Sequence, residues 1–327
     1  MLPRKITFGI QENACNLSCP KCLVHSPHYP KGKEIRKQLG KMDLDNIIKT
    51  FDEIASWKPV VSPSYWSEPL FNKKLFMQFV QEATKRGIPV EINTNALLID
   101  TAMAKFLLDN ISTISISIDA LKKETLLKTR SVDCIEKINN AVELLLQLRG
   151  NKLKPRMVVS FTEEDANMGE KNDFIQYWIG KVDAVRVNKA YNDLRKVNPV
   201  TITRIPCREI YDCMNIDYDG TVRICCLDAY RQTDLGNVFR EGVLNVWNGK
   251  KYRALRESHE GDPEKIDPFC KGCDQWAGFN IIEEREVDGM LIRCTLFSSY
   301  YNRIDRLHGW KSTRMDEHSL AVHKELG

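Results

Sequence analysis

Short runs rich in Val and Ile alternate with amphipathic stretches as far as about residue 195, and this alternation constrains the fold more than any other feature of the chain. Strands are expected over residues 5–10, 59–66, 89–94, 113–119, 156–162 and 184–188, because β-branched side chains pack well on a pleated surface. Helical periodicity fills the gaps between them. Leu44, Ile47, Ile48, Phe51, Ile54 and Ala55 recur at three- and four-residue spacing behind Asp43, a side chain suited to capping a helix start. Similar segments lie near 73–86, 100–109, 135–148 and 170–179, with Gly87 and Pro89 closing the second and opening the next strand. Six strands, each followed by a helix or crossover, predict an α/β fold whose parallel sheet closes or nearly closes as a partial (β/α)6 barrel with right-handed connections.

The rhythm stops after Asn188. Residues 196–280 are Cys-rich and carry turn signals such as Asp219-Gly220, which predicts a metal-stapled module separate from a barrel of residues 1–195. Residues 281–327 read as a polar, basic tail of helical character, with aromatics at Phe297, Tyr300, Tyr301 and Trp310. No apolar run approaches the roughly 20 residues that cross a bilayer. The start, Met1 to Gly9, lacks the apolar stretch and cleavage site of a signal peptide, so the expected address is the cytoplasm, with no membrane partner. In that reducing compartment eleven cysteines, an odd number, point to metal binding rather than disulfides. The formal charge of +4 is mild, and metal-bound thiolates would lower it further, so nucleic acid is not expected as a partner.

Cys15, Cys19 and Cys22 form C-x3-C-x2-C directly after the first strand. Three thiolates on a [4Fe-4S] cube leave one iron open to a small chelating ligand, whereas four would close it. Structural zinc is the alternative, with His25 as a fourth ligand. The stretch Cys15-Asn16-Leu17-Ser18-Cys19-Pro20-Lys21-Cys22 resembles the signature of the radical S-adenosylmethionine (SAM) superfamily, although Lys21 stands where that family usually has an aromatic residue. The resemblance implies a TIM-type barrel in which the open iron chelates the amino and carboxylate groups of S-adenosylmethionine. Trp66-Ser67-Glu68-Pro69 resembles the family's Gly-Gly-Glu-Pro segment, which makes Glu68 an expected contact of the cofactor's amino group. Trp66 and Ser67 replace both glycines, so a different local backbone is expected there. Asn93-Thr94-Asn95 resembles Thr-Asn-Gly and Ser117-Ile118-Asp119 resembles Ser-x-Asp, adding Asn95, Ser117 and Asp119 as expected cofactor contacts. Taken singly, polar residues in strand-to-helix turns are ordinary; each of these falls at a strand end in the family's order.

A second set, Cys207, Cys225, Cys270 and Cys273, reads C-x12-G-x4-C followed by C-x2-C. Four thiolates close a [4Fe-4S] cluster completely, as in a relay or structural centre, and a four-cysteine zinc ribbon is the alternative. With the phrases Cys225-Cys226-Leu227-Asp228, Leu235-Gly236-Asn237-Val238 and Val246-Trp247-Asn248, this region resembles the SPASM and twitch auxiliary-cluster extensions. Only Cys294 follows Cys273, which favours the shorter twitch form with one auxiliary cluster. Of the remaining cysteines, Cys213 and Cys226 are candidate hydrogen-atom donors to a substrate radical, by resemblance to radical epimerases; a small buried apolar side chain is the commoner role.

The resemblance implies reductive cleavage of S-adenosylmethionine to a 5′-deoxyadenosyl radical that takes a hydrogen atom from the substrate, with flavodoxin or ferredoxin as electron donor. The cysteine intervals are similar to those of twitch enzymes that dehydrogenate a cyclitol such as 2-deoxy-scyllo-inosamine. Expected substrates are therefore an aminocyclitol, sugar or nucleoside. Peptide crosslinking or epimerisation is the alternative, set second because only 14 residues precede Cys15, too few for a leader-binding domain. From another class, a zinc-stapled binding module would use the basic run Lys31, Lys33, Arg36, Lys37 and Lys41, which otherwise reads as a solvated loop.

Overall fold

The computed structural model describes residues 1–307 apart from 13, 39, 193, 197–202 and 262. Along the chain run β1 (Lys5–Phe8), α1 (Pro30–Arg36), α2 (Leu44–Ile54), β2 (Val60–Ser62), α3 (Lys73–Lys85), β3 (Glu91–Thr94), α4 (Thr101–Asn110), β4 (Thr113–Ser117), α5 (Lys123–Arg130), α6 (Ile135–Arg149), β5 (Arg156–Glu163), α7 (Lys171–Ile179) and β6 (Ala184–Lys189). The C-terminal part adds α8 (Glu209–Asp212), β7 (Cys213–Ile216), β8 (Val222–Arg223), α9 (Val238–Glu241), α10 (Val243–Trp247), α11 (Lys250–Glu260), α12 (Pro268–Lys271), β9 (Glu283–Val287), β10 (Met290–Cys294) and β11 (Ser298–Arg303). All six expected strands form, and so do the five expected helices; α1 and α5 lie outside the apolar periodicity. Two compact units divide the chain: Met1–Thr94, Asn110–Ser112 and Ile205–Cys273, and then Asn95–Asp109, Thr113–Arg204 and the residues from Asp274 onward.

In the first unit the sheet order is β8-β7-β1-β2, with β1 parallel to both β2 and β7. Val61 also bridges Val90 in parallel, just ahead of β3. Phe8 meets Phe51 of α2 and Phe79 of α3 edge to face at 5.6 and 5.3 Å, so one aromatic trio joins strand to helices. Asp43 caps α2 by accepting the Asp45 N–H at 2.8 Å. The Cys-rich segment is built into this unit. All four residues of β7 are buried beside β1, and the Glu53 carboxylate of α2 accepts the Val243 and Leu244 N–H groups at the start of α10, both at 2.9 Å. A carboxylate at that position satisfies amides that have no partner within a helix.

In the second unit β4, β5 and β6 are parallel, and β11, β10 and β9 continue the sheet in antiparallel fashion from β6. The parallel α/β order expected from the alternation is therefore present. The helical character expected after residue 280 is not seen over residues 281–307, which form three strands and one short 3-10 turn, Ile304–Arg306. Asp288 and Gly289 take φ of 50° and 75°, a two-residue turn of the kind that closes a hairpin. Trp310 lies outside the described residues. Asp183 is the polar centre of this unit. Arg149 holds it with two nitrogens, Nη2 at 3.1 Å, while Arg306 Nε and the Met157 N–H reach it at 2.8 and 2.7 Å. Among the described residues no helix is long and apolar enough to cross a membrane.

Candidate metal centre

The first cysteine loop leaves β1 and is held from three sides. Leu17, Leu23 and Val24 are buried and anchor it. Within it the Cys22 N–H donates to Cys19 O at 3.0 Å, the Ser26 N–H to Cys22 O at 3.0 Å, and the His25 N–H to Cys22 Sγ at 3.3 Å. Helix α1 closes the other side. Arg36 donates to Val24 O and, at 3.3 Å, to Ser26 O, so part of the basic run serves the loop rather than solvent. Gly32 packs its α-carbon against the carbonyls of Leu23 and Val24, where any β-carbon would strike backbone. Gly32→Ala must push the loop aside. The expected result is iron below about eight per chain and cofactor cleavage lowered about tenfold, measured by iron analysis and 5′-deoxyadenosine formation.

Glu68, which caps the 3-10 turn Pro69–Asn72 beyond β2, is tied to this loop by its backbone: its N–H donates to Ala14 O at 2.9 Å and its carbonyl accepts Gln11 Nε2 at 3.0 Å. Its Oε1 accepts the Thr94 hydroxyl at 2.7 Å and the Leu70 N–H at 3.2 Å. Burial pushes the Cys15 thiol up to about 12, against a Leu17 N–H, and the negative charge of Glu68, Cys19 and Cys22 adds to the rise. The Glu68 N–H bond to Ala14 O sets this residue against the segment that carries Cys15. Cluster formation there must displace protons, since the thiolate is the ligand.

His25, the alternative zinc ligand, has its Nε2 2.9 Å from Trp66 O. A carbonyl only accepts, so Nε2 carries the proton, and burial holds the ring below its ordinary pKa. Trp66 itself has φ of +51°. The backbone keeps the left-handed turn a glycine would take, at a cost of about 1–3 kcal/mol for a bulky residue. The different backbone expected from losing both glycines is not needed for that turn at position 66. Ala96, after β3, and Asp119, after β4, likewise have φ of 63° and 66°.

The second set also lies in the first unit. Burial pushes the Cys207 thiol well up, against a Glu209 N–H, with Glu209, Cys270 and Cys273 as negative neighbours. Cys225 is raised by burial and then by Cys226, Glu209 and Cys270. Asp267 starts α12 by accepting the Phe269 N–H at 2.8 Å, which presents Cys270, and the Cys273 N–H turns back to Cys270 O at 3.2 Å. His259 Nδ1 accepts the Cys207 N–H at 3.3 Å. None of the eleven cysteines is in a disulfide. Among the described residues no three His, Cys, Asp or Glu side chains converge as ligands of a single metal ion. Soft thiolates in sets of three and four suit cubes that take one thiolate at each iron corner.

Of the other expected residues, Cys213 is buried on β7 and Cys226 is exposed. In the second unit, Asn95 Oδ1 accepts the Leu97 N–H at 3.0 Å, and Ser117 Oγ lies 3.4 Å from Ser160 Oγ. Asp119 is fully buried, with its two carboxylate oxygens accepting Arg130 Nη2 and the Thr162 N–H, both at 2.6 Å. Its carboxylate is occupied in joining the ends of β4 and β5. Sequence reasoning missed Gly32, Gln11 and the Trp66 indole, whose Nε1–H donates to Cys226 O at 2.9 Å. The replacement of two glycines by Trp66 and Ser67 was the one signal that position 66 is special.

Residues 12–175 match the Radical SAM superfamily, and residues 207–274 match SPASM, an iron-sulfur cluster-binding domain. A GTP 3′,8-cyclase of Clostridium acetobutylicum is 26% identical over 165 residues, 49% of this chain and 48% of that protein. An uncharacterized protein of Treponema pallidum is 27% identical over 123 residues, 35% of this chain and 32% of that one. The matches thus span from about a third to about half of the length of these curated relatives. Among solved structures, BtrN in complex with AdoMet (S-adenosylmethionine) and 2-DOIA is 17% identical with a TM-score of 0.56, over 84% of this chain and 94% of that one. Native anSMEcpe with bound AdoMet gives 0.63 at 15% identity, over 84% and 90%. Streptococcus suis SuiB bound to precursor peptide SuiA gives 0.60 at 14% identity, over 78% and 67%. These likenesses establish the fold.

Proposed function

Because this chain belongs to the Radical SAM superfamily, we propose that it is an oxidoreductase that removes two electrons and two hydrogens from a hydroxyl-bearing small molecule such as an aminocyclitol, sugar or nucleoside. Its cofactors are [4Fe-4S] clusters and S-adenosylmethionine. The observation that carries the reading is that a three-thiol loop, bonded to Glu68 through Ala14, and four further cysteines belong to the same unit. When bound, these groups supply hydrogen-atom abstraction at an unactivated carbon and a second centre to receive an electron.

The residues then divide the work. Cys15, Cys19 and Cys22 hold one cluster by three corners; Cys207, Cys225, Cys270 and Cys273 hold the other by four. Glu68 turns its carboxylate to the cofactor's amino group, oriented by Thr94. Asn95, the residue after β3, and Ser117, the last residue of β4, are taken as further cofactor contacts, whereas the occupied carboxylate of Asp119 supports an ordering role. The barrel of residues 1–195 and the module of residues 196–280 are supported as functional parts by the two family matches. A flavodoxin or ferredoxin of the cytoplasm delivers the first electron.

Peptide maturation by crosslinking or epimerisation is the second reading. It is favoured by TM-scores of 0.60 to SuiB bound to its precursor peptide and 0.62 to anSMEcpe with a bound peptide, above the 0.56 to BtrN. In an epimerisation Cys226, exposed beside Cys225, is a better placed hydrogen donor than buried Cys213.

Oxygen-free reconstitution with iron and zinc analysis, then deuterium transfer from a labelled candidate substrate into 5′-deoxyadenosine, tests both readings. Zinc without iron ends the proposal; transfer from a peptide but from no polyol reverses their order. Glu68→Gln keeps the acceptor for Thr94 and removes the charge. It is expected to weaken S-adenosylmethionine binding by about tenfold or more, measured by equilibrium binding, because a hydrogen bond to a charged group contributes about 1.5–3 kcal/mol.

A further inference from the structure

Trp66 is bound on both sides by residues next to cluster ligands. Its carbonyl accepts the proton on His25 Nε2 at 2.9 Å, and the His25 N–H meets Cys22 Sγ at 3.3 Å. Its indole Nε1–H donates to Cys226 O at 2.9 Å, one residue past Cys225. Three hydrogen bonds thus run from the sulfur of the first set, through His25 and Trp66, to the backbone of the second, all within the first unit. A partly exposed indole N–H could bond to water just as well, so the need for an acceptor does not explain a bulky side chain held at φ of +51°.

We propose that His25 and Trp66 are positioning residues that hold the Cys225–Cys226 backbone in register with the first cysteine loop, so that S-adenosylmethionine filling the first site steadies the second. This rests on the cluster reading of both cysteine sets. Glu68 is two residues beyond Trp66, and its own backbone is bonded to the first loop at Ala14. A ligand that orders Glu68 and Cys22 therefore orders both ends of the Trp66 peptide. The indole is rigid, with two side-chain torsions, and transmits that order to Cys226 through one hydrogen bond. Coupling of this kind is reciprocal, because each site biases the same element.

Hydrogen exchange of the iron-reconstituted protein, with and without S-adenosylmethionine, reads this directly at the Leu227 and Asp228 amides. In the wild type the cofactor is expected to slow exchange there about fivefold, the worth of one hydrogen bond. Trp66→Phe keeps the ring and its backbone but lacks the donor. It should lose that response while retaining cofactor-induced protection of the Glu68 segment, which shows a folded protein that binds. His25→Phe breaks the chain one link earlier and should give the same result. His25→Gln, which keeps an N–H donor, should restore part of the response. An equal response in wild type and Trp66→Phe overturns the tie, as does no response at Leu227 and Asp228 in a wild type whose Glu68 segment is protected. If the wild-type Glu68 segment does not respond either, the cofactor reading of the first site fails, and the tie with it.

Discussion

Replacing Cys15, Cys19 and Cys22 together by alanine is expected to abolish 5′-deoxyadenosine formation and leave about four of about eight irons per chain. The two halves of that result have separate origins. On the proposed function, reductive cleavage needs an iron that the protein leaves open, and the three-thiol set is the one that would offer it. The remaining irons stay because Cys207, Cys225, Cys270 and Cys273 are presented by other elements: the turn before α8, the segment after β8, and α12 with its Asp267 cap. None of those elements lies in the first loop, so the three thiols can be removed with the Trp66–Cys226 bond still in place. Burial raises the Cys15, Cys207 and Cys225 thiols, so loading each site releases protons as the metal replaces them. Iron content, the absorption band of the clusters and chromatography of the nucleoside product check the outcome. A triple variant devoid of iron would mean the two sets do not load independently.

The parts of this molecule that could be read from the sequence are those in which one residue type has one physical use. Val- and Ile-rich runs became β1 to β6 because a strand buried on both faces needs them, and Asp43 caps α2 because its oxygen reaches the Asp45 amide. The cysteine spacings set apart two groups of thiols, and the fold keeps both groups in one unit. The strands after residue 280 were harder. Composition there is polar and basic, as in a solvated tail, and all five residues of β9 are exposed; only the Asp288-Gly289 turn between alternating side chains marked a hairpin. Trp66 shows a different limit. Losing a glycine appears in the sequence as a departure, but whether the backbone gives way or the new side chain bears the strain depends on what anchors it, and both anchors, His25 and Cys226, are distant along the chain. Asp119 is similar: its motif names a polar residue at a strand end, while Arg130 and Thr162 decide where its carboxylate points.

Asp183→Ala is expected to destabilise the second unit by about 3–5 kcal/mol, the largest stability effect of any single substitution considered for this chain. Both oxygens of this carboxylate are in use. Arg149 reaches it with two nitrogens, 4% exposed on its side chain against 3% for Asp183, and the Met157 N–H at the start of β5 donates at 2.7 Å. Arg306 adds a third charged donor at 2.8 Å, and the Asp183 carbonyl accepts the Arg303 N–H at 3.0 Å, fastening the end of β11. Removing the carboxylate leaves the buried Arg149 guanidinium without its counter-charge and one backbone amide without its acceptor. The lost attraction is smaller than the cost of the stranded charge. Two comparisons separate these contributions. Asp183→Asn keeps an acceptor for Met157 and loses the charge, so it should fall between the wild type and alanine. Arg306→Ala removes a donor whose side chain is 13% exposed and leaves Arg149 paired, so it should cost about 1 kcal/mol. Urea unfolding followed by far-ultraviolet circular dichroism measures all three. An alanine variant within about 1 kcal/mol of the wild type would show that water or a neighbouring carbonyl replaces the carboxylate, and that the β5, β6 and β11 contacts hold this unit together without it.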